Sequence, residues 1–164
     1  PFTTAVLELR QQVMWPSQPL EYSKVAGDEK EDTMHFGVFA STGTSTGGTA
    51  SNSADDSCPG SAPHQQLVSV VSVFLDHADG SAQFRKFATD RSFQRQGIGS
   101  ALLAHVFAQL QQLPAGVIRR VWCNARLEQQ LFYRKALFEM TVIEGSAFEK
   151  GGRSFILMER HLRL

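Results

Sequence analysis

The feature that most constrains the fold of this chain is a strand that leads into a helix between residues 83 and 113. The strand predicted at 83–89 has two faces, with Gln83, Arg85 and Phe87 on one and Phe84, Lys86 and Ala88 on the other. The helix predicted at about 97–113 has an apolar face formed by Ile98, Leu102, Val106, Leu110 and Leu113. Because an amphipathic helix must cover an apolar partner, this block predicts a helix packed on a β-sheet.

The order of the other predicted elements gives the fold class. Strands are predicted at 4–9, 35–40, 67–75, 117–123, 139–144 and 153–161, and a second helix at about 127–136. The strand at 67–75 is rich in β-branched residues, and we expect it to form a hairpin with the strand at 35–40. Strands, then strand–helix–strand–helix, then further strands predict an α/β (α+β) fold with a mixed sheet flanked by helices.

Length and composition predict a single domain over residues 1–164. A chain of 164 residues, 42% hydrophobic and 20% charged, can form one sizeable core and is short for two. Lys plus Arg and Asp plus Glu both total 16, so the net charge gives no support to a nucleic-acid partner. The sequence shows no membrane-spanning apolar run, no signal-peptide pattern and only two cysteines, Cys58 and Cys123. We therefore expect a cytoplasmic protein with no membrane partner and no disulfide framework.

Residues 41–66 interrupt the predicted hairpin with a low-complexity segment of Ser, Thr, Gly, Ala, Asp and Pro. With hardly an apolar side chain, such a segment cannot bury enough surface to offset the entropy lost on ordering. We interpret it as a disordered insertion within the single domain. The alternatives are a functional lid or a segment that recruits a protein partner.

The loop at residues 90–100, between strand and helix, has the chemistry of a phosphate site. The first N–H groups of a helix have no partner within it, and the helix dipole adds partial positive charge there. Gly97 and Gly99 would let phosphate oxygens approach the backbone, and Arg95, with Arg91 as a second candidate, would add charge-assisted contacts. The alternative is an ordinary tight turn, because the glycine spacing matches neither a dinucleotide-binding fingerprint nor a Walker loop.

Three motifs follow one another in this half of the chain: Gln94-Arg95-Gln96-Gly97-Ile98-Gly99, Trp122-Cys123-Asn124-Ala125-Arg126 and Phe132-Tyr133-Arg134-Lys135. The first resembles the Gln/Arg-x-x-Gly-x-Gly/Ala signature of the GNAT superfamily of acetyl-CoA-dependent N-acetyltransferases, and the other two follow in that family's order. The resemblance covers roughly residues 67–161. It implies a GNAT-like fold, in which a mostly antiparallel central sheet has splayed middle strands.

The resemblance also implies acetyl-CoA as co-substrate, with no metal, and residues that bind it. The strand before the loop would separate from its neighbour at 117–123 and admit the pantetheine arm, which would bond the main chain of Phe87, Ala88 and Thr89. An amide near Phe87 or Ala88 would polarise the thioester carbonyl. The loop that binds the pyrophosphate would consist of Gln94, Arg95, Gln96, Gly97, Ile98, Gly99 and Ser100. Asn124 or Arg126 would contact pantetheine or phosphate, with helix capping as the alternative for Asn124.

Tyr133 matches the family tyrosine that protonates the departing CoA thiolate. The chemistry is sound, because a phenol and a thiol have comparable pKa values. The alternative is a packing residue on an apolar helix face beside Leu131 and Phe132. The chain departs from the family at Leu137, where relatives have glycine, so we expect the helix that carries Tyr133 to end differently here.

The acceptor side of the predicted site rests on single residues. Arg85 suits a substrate carboxylate or phosphate, with a surface ion pair as the alternative, and His35 is a second substrate-binding candidate with a structural alternative. His35, Asp76 and Glu144 are candidates for the general base. Cys123 lies on a predicted buried strand without an evident histidine partner, which argues against a covalent thiol intermediate.

The predicted function is an acetyl-CoA-dependent N-acyltransferase in which an amine attacks acetyl-CoA directly, in a ternary complex. The amine would belong to a small molecule or a peptide, and the enzyme would be a monomer or a homodimer. The rival interpretation is a catalytically inactive CoA-binding sensor or protein-interaction module, favoured by Leu137 and by the absence of an obvious base.

Overall fold

The computed structural model describes residues 3–42, 64–135 and 138–162 of the chain. These residues form three α-helices: α1 (Thr4–Met14), α2 (Ile98–Gln111) and α3 (Gln130–Tyr133). They also form seven strands: β1 (Thr33–Thr42), β2 (His64–Asp76), β3 (Ser81–Thr89), β4 (Arg120–Arg126), β5 (Thr141–Val142), β6 (Phe148–Lys150) and β7 (Arg153–His161). Short 3-10 turns lie at Leu20–Ser23, Arg91–Phe93 and Leu127–Gln129. None of the described helices is long and apolar enough to cross a membrane.

The strands form one mixed, mostly antiparallel sheet in the order β1-β2-β3-β4-β7-β5, with β6 also paired to β7. The predicted hairpin is confirmed, since β1 and β2 are antiparallel neighbours. Among the described strands, β3 and β4 alone pair in parallel, and α2 lies on the connection between them, as a parallel crossover requires. The predicted α/β (α+β) class, with helices flanking a mixed sheet, is confirmed.

The middle of the sheet opens between β3 and β4. Their parallel pairing consists of three register pairs, of which the last is Gln83 with Trp122. Beyond this point β3 stays paired with β2 as far as Thr89, and β4 stays paired with β7 as far as Arg126. The predicted splay of the middle strands is therefore present, and both strands present a backbone edge to the gap between them.

A β-bulge in β3 lies beside this gap. Arg85 pairs with Ser72, and the next register pair is Ala88 with Val70, so two residues of β3 oppose a single residue of β2. One of the two, Lys86, has a left-handed backbone with φ of 55°. An extra residue of this kind is left out of the ladder with the neighbouring strand and reverses the order of the two faces along the rest of β3.

The bulge makes the predicted alternation of β3 wrong in its second half. Arg85 and Lys86 both face α1. Ala88 packs in the apolar cluster under α1, whereas Phe87 packs against the cluster under α2. The prediction placed Phe87 with Arg85, and both Lys86 and Ala88 with Phe84, because alternation by itself does not anticipate an inserted residue.

Two apolar clusters hold the helices to the two faces of the sheet. The larger lies between the sheet and α2, to which the helix contributes Leu102, Leu103, Val106, Phe107 and Leu110. Three of the five predicted apolar-face residues of α2, at positions 102, 106 and 110, are fully buried there, and Leu113 packs against the same cluster. The smaller cluster lies between the sheet and α1.

The N-terminal segment is a helix, α1, and the strand predicted at 4–9 is wrong. Val6, Leu9 and Arg10 are buried at helical spacing, and Val13 extends the stripe by one turn. Leu, Glu, Arg and Gln in this segment are good helix formers. A window of six residues is too short to distinguish alternation from a helical period, which is why the sequence pattern misled.

The bounds of several other elements differ from prediction. The strand predicted at 117–123 forms three residues later as β4, and the Val117 amide is used in a turn, bonding the Pro114 carbonyl at 3.1 Å. The helix predicted at 127–136 is split into a 3-10 turn and α3, and the strand at 139–144 shortens to β5. The strand at 153–161 is confirmed as β7, whereas β6, with only three exposed residues, was not predicted.

The insertion predicted at 41–66 is wrong at both of its ends. Ser41 and Thr42 belong to β1, and residues 64–66 belong to β2. The two segments pair with each other, Ser41 with Gln65 and Thr42 with His64. A ladder of backbone hydrogen bonds forms without apolar side chains, so composition does not mark where the hairpin stops. The rest of the insertion, residues 43–63, lies outside the described residues, as does Leu137.

Candidate active site

The loop between β3 and α2 is anchored by Asp90, a buried aspartate at the end of β3. Its Oδ1 accepts hydrogen bonds from the Ser92 amide at 2.9 Å and from the Ser92 hydroxyl at 2.6 Å. The Asp90 amide in turn donates to the Val68 carbonyl of β2 at 2.8 Å. These contacts fix the start of the loop relative to the sheet.

Two glutamines of the signature brace the loop with their side chains. Gln94 Nε2 donates to the Thr89 carbonyl at 2.9 Å, and Gln96 Nε2 donates to the Ser92 carbonyl at 2.8 Å. Both side-chain amides are therefore engaged within the loop. The Gln94 backbone amide is engaged there as well, because it donates to the Arg91 carbonyl at 3.4 Å.

The backbone at the start of α2 has the form of an anion site. Ala101 donates to the Gly97 carbonyl at 2.9 Å and so closes the first turn of the helix. The amides before Ala101 have no acceptor within the helix. Arg95 and Gly97 have left-handed φ values of 59° and 82°, a conformation that turns successive N–H groups towards one concavity. The Arg95 side chain is exposed beside it.

The two glycines of the loop have different roles. A Cβ added at Gly97 would meet nothing within 4 Å, so this glycine is required for its left-handed φ and leaves the space in front of the amides open. A Cβ at Gly99 would lie 3.1 Å from Phe87 Cζ and 3.3 Å from Thr89 Oγ1. Gly99 therefore allows α2 to pack closely on β3, a role that its position in the motif did not reveal.

We expect Gly97→Ala to weaken acetyl-CoA binding about fivefold, because the left-handed backbone costs an alanine about 1 kcal/mol and the loop relaxes away from the conformation that holds the amides. Gly116→Ala is the matched control, since Gly116 also has φ of 82° and open space around it, but lies after α2. Both variants should lose similar thermal stability. Equal affinity for acetyl-CoA in the two variants, by calorimetry, would contradict the phosphate-loop assignment.

The main chain of β3 borders the gap from Phe87 to Thr89. The Ala88 carbonyl accepts from the Ser69 hydroxyl at 3.2 Å, and the Thr89 carbonyl accepts from Gln94. Thr89 Oγ1 lies 2.8 Å from Ser69 Oγ. Because a carbonyl oxygen has two lone pairs, these internal contacts leave acceptor capacity for a ligand that enters the gap.

Tyr133 lies in α3, on the same side of the sheet as α2. Its half-buried ring packs on Phe84 and Phe132, with centroid distances of 5.7 and 5.0 Å. Burial raises the pKa of Tyr133 well above its usual range, Cys123 raises it further, and Arg126 lowers it. Among the described residues the hydroxyl has no hydrogen-bond partner. A protonated phenol is thus available for donation.

Asn124 and Arg126 both belong to β4, beyond the last pair with β3. The capping alternative for Asn124 is wrong, because the residues that precede the 3-10 turn and α3 are Arg126 and Gln129, and neither makes a side-chain cap. Asn124 is exposed. Arg126 is half-buried, and burial and Arg153 lower its pKa while its charge acts on Tyr133. Arg126 is thereby placed near the candidate proton donor.

Comparison with known proteins decides the family. Residues 52–162, more than half of the chain, match the family described as "Acetyltransferase (GNAT) domain". The chain belongs to the GNAT family. The uncharacterized N-acetyltransferase YitI of Bacillus subtilis (strain 168) is 31% identical over 128 residues, which cover 78% of this chain and 72% of YitI. GNAT membership makes the chain an acetyl-CoA-dependent acyltransferase.

Solved structures agree with this fold. An acyl-CoA N-acyltransferase from Pseudomonas aeruginosa superposes with a TM-score of 0.65 at 18% identity, covering 95% of this chain and 87% of that one. The ribosomal-protein-S18-alanine N-acetyltransferase from Escherichia coli gives 0.62 at 17% identity, covering 98% and 87%. At these identities the similarity concerns the fold, and it confirms the predicted GNAT-like architecture.

His35 belongs to an internal network of this GNAT domain. Its Nδ1 lies 2.6 Å from Ser72 Oγ, and its Nε2 lies 2.8 Å from the Asp28 carbonyl. Arg10, which is fully buried, donates to both Asp28 and Ser72. Since both ring nitrogens are engaged inside the protein, these contacts support the structural alternative for His35 over a role in substrate binding or as a base.

The other candidate bases lie away from the gap. Asp76 pairs with Ser81 before the gap begins, and its Oδ1 accepts from two amides of the following turn at 3.1 Å. Glu144 is exposed after β5, at the far edge of the sheet. Cys123 is fully buried, and burial raises the pKa of its thiol well above the usual range. A buried, protonated thiol is a poor nucleophile, in line with the prediction that no thiol intermediate forms.

Sequence reasoning missed Glu159, a largely enclosed carboxylate beside the start of the gap. Glu159 pairs with Trp122, which pairs in turn with Gln83, the last residue of β3 that is bonded to β4. Its side chain is 15% exposed and accepts from Arg120 at 3.3 Å. Only the strand register brings these residues together, so no local sequence signal could have identified Glu159.

Proposed function

We propose that this GNAT enzyme holds acetyl-CoA along the gap between β3 and β4 and transfers its acetyl group to an amine by direct attack in a ternary complex. The observation that carries the proposal is the end of β3–β4 pairing after Gln83 and Trp122. The freed edge of β3 leads straight into the loop whose amides form an anion site. In CoA the pantetheine arm leads into the pyrophosphate, so the arm would lie along the freed edge of β3 and the pyrophosphate at the loop.

The bulge in β3 supports an oxyanion role for the main chain. An extra residue is left out of the ladder with β2, so its amide is available to another acceptor. A backbone amide at Phe87 or Ala88, as the motifs predict, would donate to the thioester carbonyl as it becomes an oxyanion. The neighbouring left-handed residue, Lys86, sets the direction of this stretch of backbone.

The proposed reaction forms a C–N bond and breaks the C–S bond of the thioester. The lone pair of the neutral amine attacks the carbonyl carbon, and the tetrahedral intermediate collapses with CoA thiolate as leaving group. Tyr133 gives its proton to the thiolate, and the nitrogen loses a proton to water or a base. The position of Tyr133 on the α2 side, with an unpartnered hydroxyl and an upward-shifted pKa, supports this assignment.

On the other side of the gap, Arg85 supports the predicted substrate contact. Its guanidinium lies 5.3 Å from the centroid of the Phe74 ring and is half-buried on the face that α1 partly covers. CoA bound from the α2 side would leave this face as the approach for the amine. The substrate-binding prediction therefore rests on Arg85 rather than on His35.

The test is calorimetric titration of the folded chain with acetyl-CoA, followed by a screen of amines for release of the CoA thiol. We expect micromolar, one-to-one binding and thiol release that depends on the amine. Binding without any amine-dependent release would favour a CoA sensor. A folded sample that does not bind acetyl-CoA would remove the proposal, and the loop would revert to an ordinary turn.

A further inference from the structure

Two consecutive cations, Arg85 and Lys86, face the same side of the sheet because of the bulge. Arg85 is the register partner of Ser72, whose hydroxyl accepts a hydrogen bond from Arg10 of α1. Lys86 Nζ lies over the ring of Trp15, 4.1 Å from its centroid, at the end of α1. In a regular strand the two side chains would point to opposite faces.

Within the described part of the chain, neither cation has an anionic partner. The contact of Arg85 is the Phe74 ring, and that of Lys86 is the Trp15 ring. Both side chains are half-buried, so water cannot fully solvate their positive charges. Cations that are partly removed from water are normally paired with a carboxylate or another anion.

The surrounding positive charges increase the cost of leaving Arg85 and Lys86 without an anionic partner. Burial lowers the pKa of Lys86 to about 8, and the charges of Arg85, Arg10 and Lys150 act in the same direction. Asp28 opposes them, but its carboxylate already accepts two hydrogen bonds from Arg10, at 2.7 and 3.0 Å. The electrostatic environment of Lys86 therefore favours a further negative charge at this place.

The location of the pair connects it with the acetyl transfer. Arg85 and Lys86 follow the last β3–β4 register pair by two and three residues, so they border the start of the gap. Tyr133 and the phosphate loop lie on the opposite side of the sheet, in contact with α2 and its cluster. A molecule held at Arg85 and Lys86 would therefore meet the thioester from the side that CoA leaves free.

We infer that Arg85 and Lys86 form an anion subsite that selects an acceptor amine carrying a carboxylate or a phosphate group. The inference rests on the proposed function and names the substrate class for it. Arg85 offers a planar fork of donors for such an oxyanion, and Lys86 adds a second charge from the adjacent position. Neutral amines and polyamines, which carry no anion, are disfavoured by the same charges.

The test compares acceptors in matched pairs at saturating acetyl-CoA, by release of the CoA thiol. Glycine with glycinamide and phosphoethanolamine with ethanolamine differ in the anion, and the two pairs separate carboxylate from phosphate. We expect kcat/KM to be at least about tenfold higher for the anionic member of one pair, and Arg85→Gln or Lys86→Gln to remove most of that preference. Arg119→Gln, an exposed arginine at the other end of the sheet, should leave it intact.

A charge reversal gives a readout that a purely structural role would not produce. Arg85→Glu should lower kcat/KM for the anionic amines and raise it for a diamine such as putrescine, while acetyl-CoA affinity stays within about twofold because CoA binds on the other side. Retained acetyl-CoA affinity also shows that each variant is folded. Equal or faster transfer to the neutral amines by the unmodified enzyme, or no transfer to any anionic amine, would overturn the subsite. Transfer to neutral amines would still uphold the proposed function, which fails only if acetyl-CoA does not bind or no amine is acetylated.

Discussion

Replacing Tyr133 by phenylalanine is expected to lower kcat about 10²–10⁴-fold and to leave the affinity for acetyl-CoA nearly unchanged. The range is that of a lost general acid. A phenylalanine ring keeps the packing on Phe84 and Phe132, so only the hydroxyl is removed. The measurement is steady-state thiol release, with the acetyl-CoA dissociation constant determined by calorimetry on the same sample.

Tyr22→Phe is the matched control, since Tyr22 is the other tyrosine of the chain and is exposed. It should change neither constant. The pH profile adds a second check: burial raises the pKa of Tyr133, and a general acid acts in its protonated form. Loss of activity through deprotonation of Tyr133 is therefore expected only above about pH 10, the ordinary phenol pKa. A fall in activity that begins below about pH 10 has another cause. Unaltered turnover in Tyr133→Phe would exclude the proton-donor role.

Removal of the Asp28 carboxylate is expected to destabilise the domain strongly. Asp28 and Arg10 form an ion pair in which both side chains are 0% exposed. Asp28→Ala removes the carboxylate that accepts two hydrogen bonds from the buried Arg10, and breaking a buried ion pair from one side costs about 3–5 kcal/mol. For a domain of this size, we expect the melting temperature to fall by roughly 6–20 °C, measured by thermal unfolding.

A second ion pair, with the same N–O distance but exposed side chains, shows how much of the expected loss of stability comes from burial. Lys24 and Glu29 also approach to 2.7 Å, but their side chains are 49% and 70% exposed. Glu29→Ala should therefore cost less than about 1 kcal/mol. The double variant Arg10→Met with Asp28→Leu should recover much of the loss, because the pair is then replaced by apolar side chains. If Asp28→Ala and Glu29→Ala melt at the same temperature, the buried pair contributes no more to the free energy of unfolding than the exposed pair does.

The parts of the site that lie within one continuous segment could be predicted from the sequence. The loop with Gly97 and Gly99 and the helix that follows it are predicted from local patterns, and Tyr133 from its match to a family motif. The structure places all three on one side of the sheet. Family motifs report this kind of information well, because a phosphate loop at a helix start is a local arrangement.

The features that depend on register or on long-range packing could not be predicted. Lys86 faces α1 because of one extra residue in β3, and Glu159 reaches the gap because β7 pairs with β4. The structural role of His35 depends on Ser72 and Asp28, which occupy both of its ring nitrogens. In each case the deciding neighbour comes from another element of the chain.

The bulge in β3 has a practical consequence for protein engineering. Positions 85 and 86 are adjacent in sequence and face the same open side, while Phe84 and Phe87 on either side of them pack in the core under α2. A combinatorial library confined to these two codons would therefore vary the acceptor side without altering the core packing. A single-codon deletion of Lys86 would instead restore regular alternation with Phe87 still on the core side, so it would leave one cation in place of two on the open face without turning an apolar residue outward.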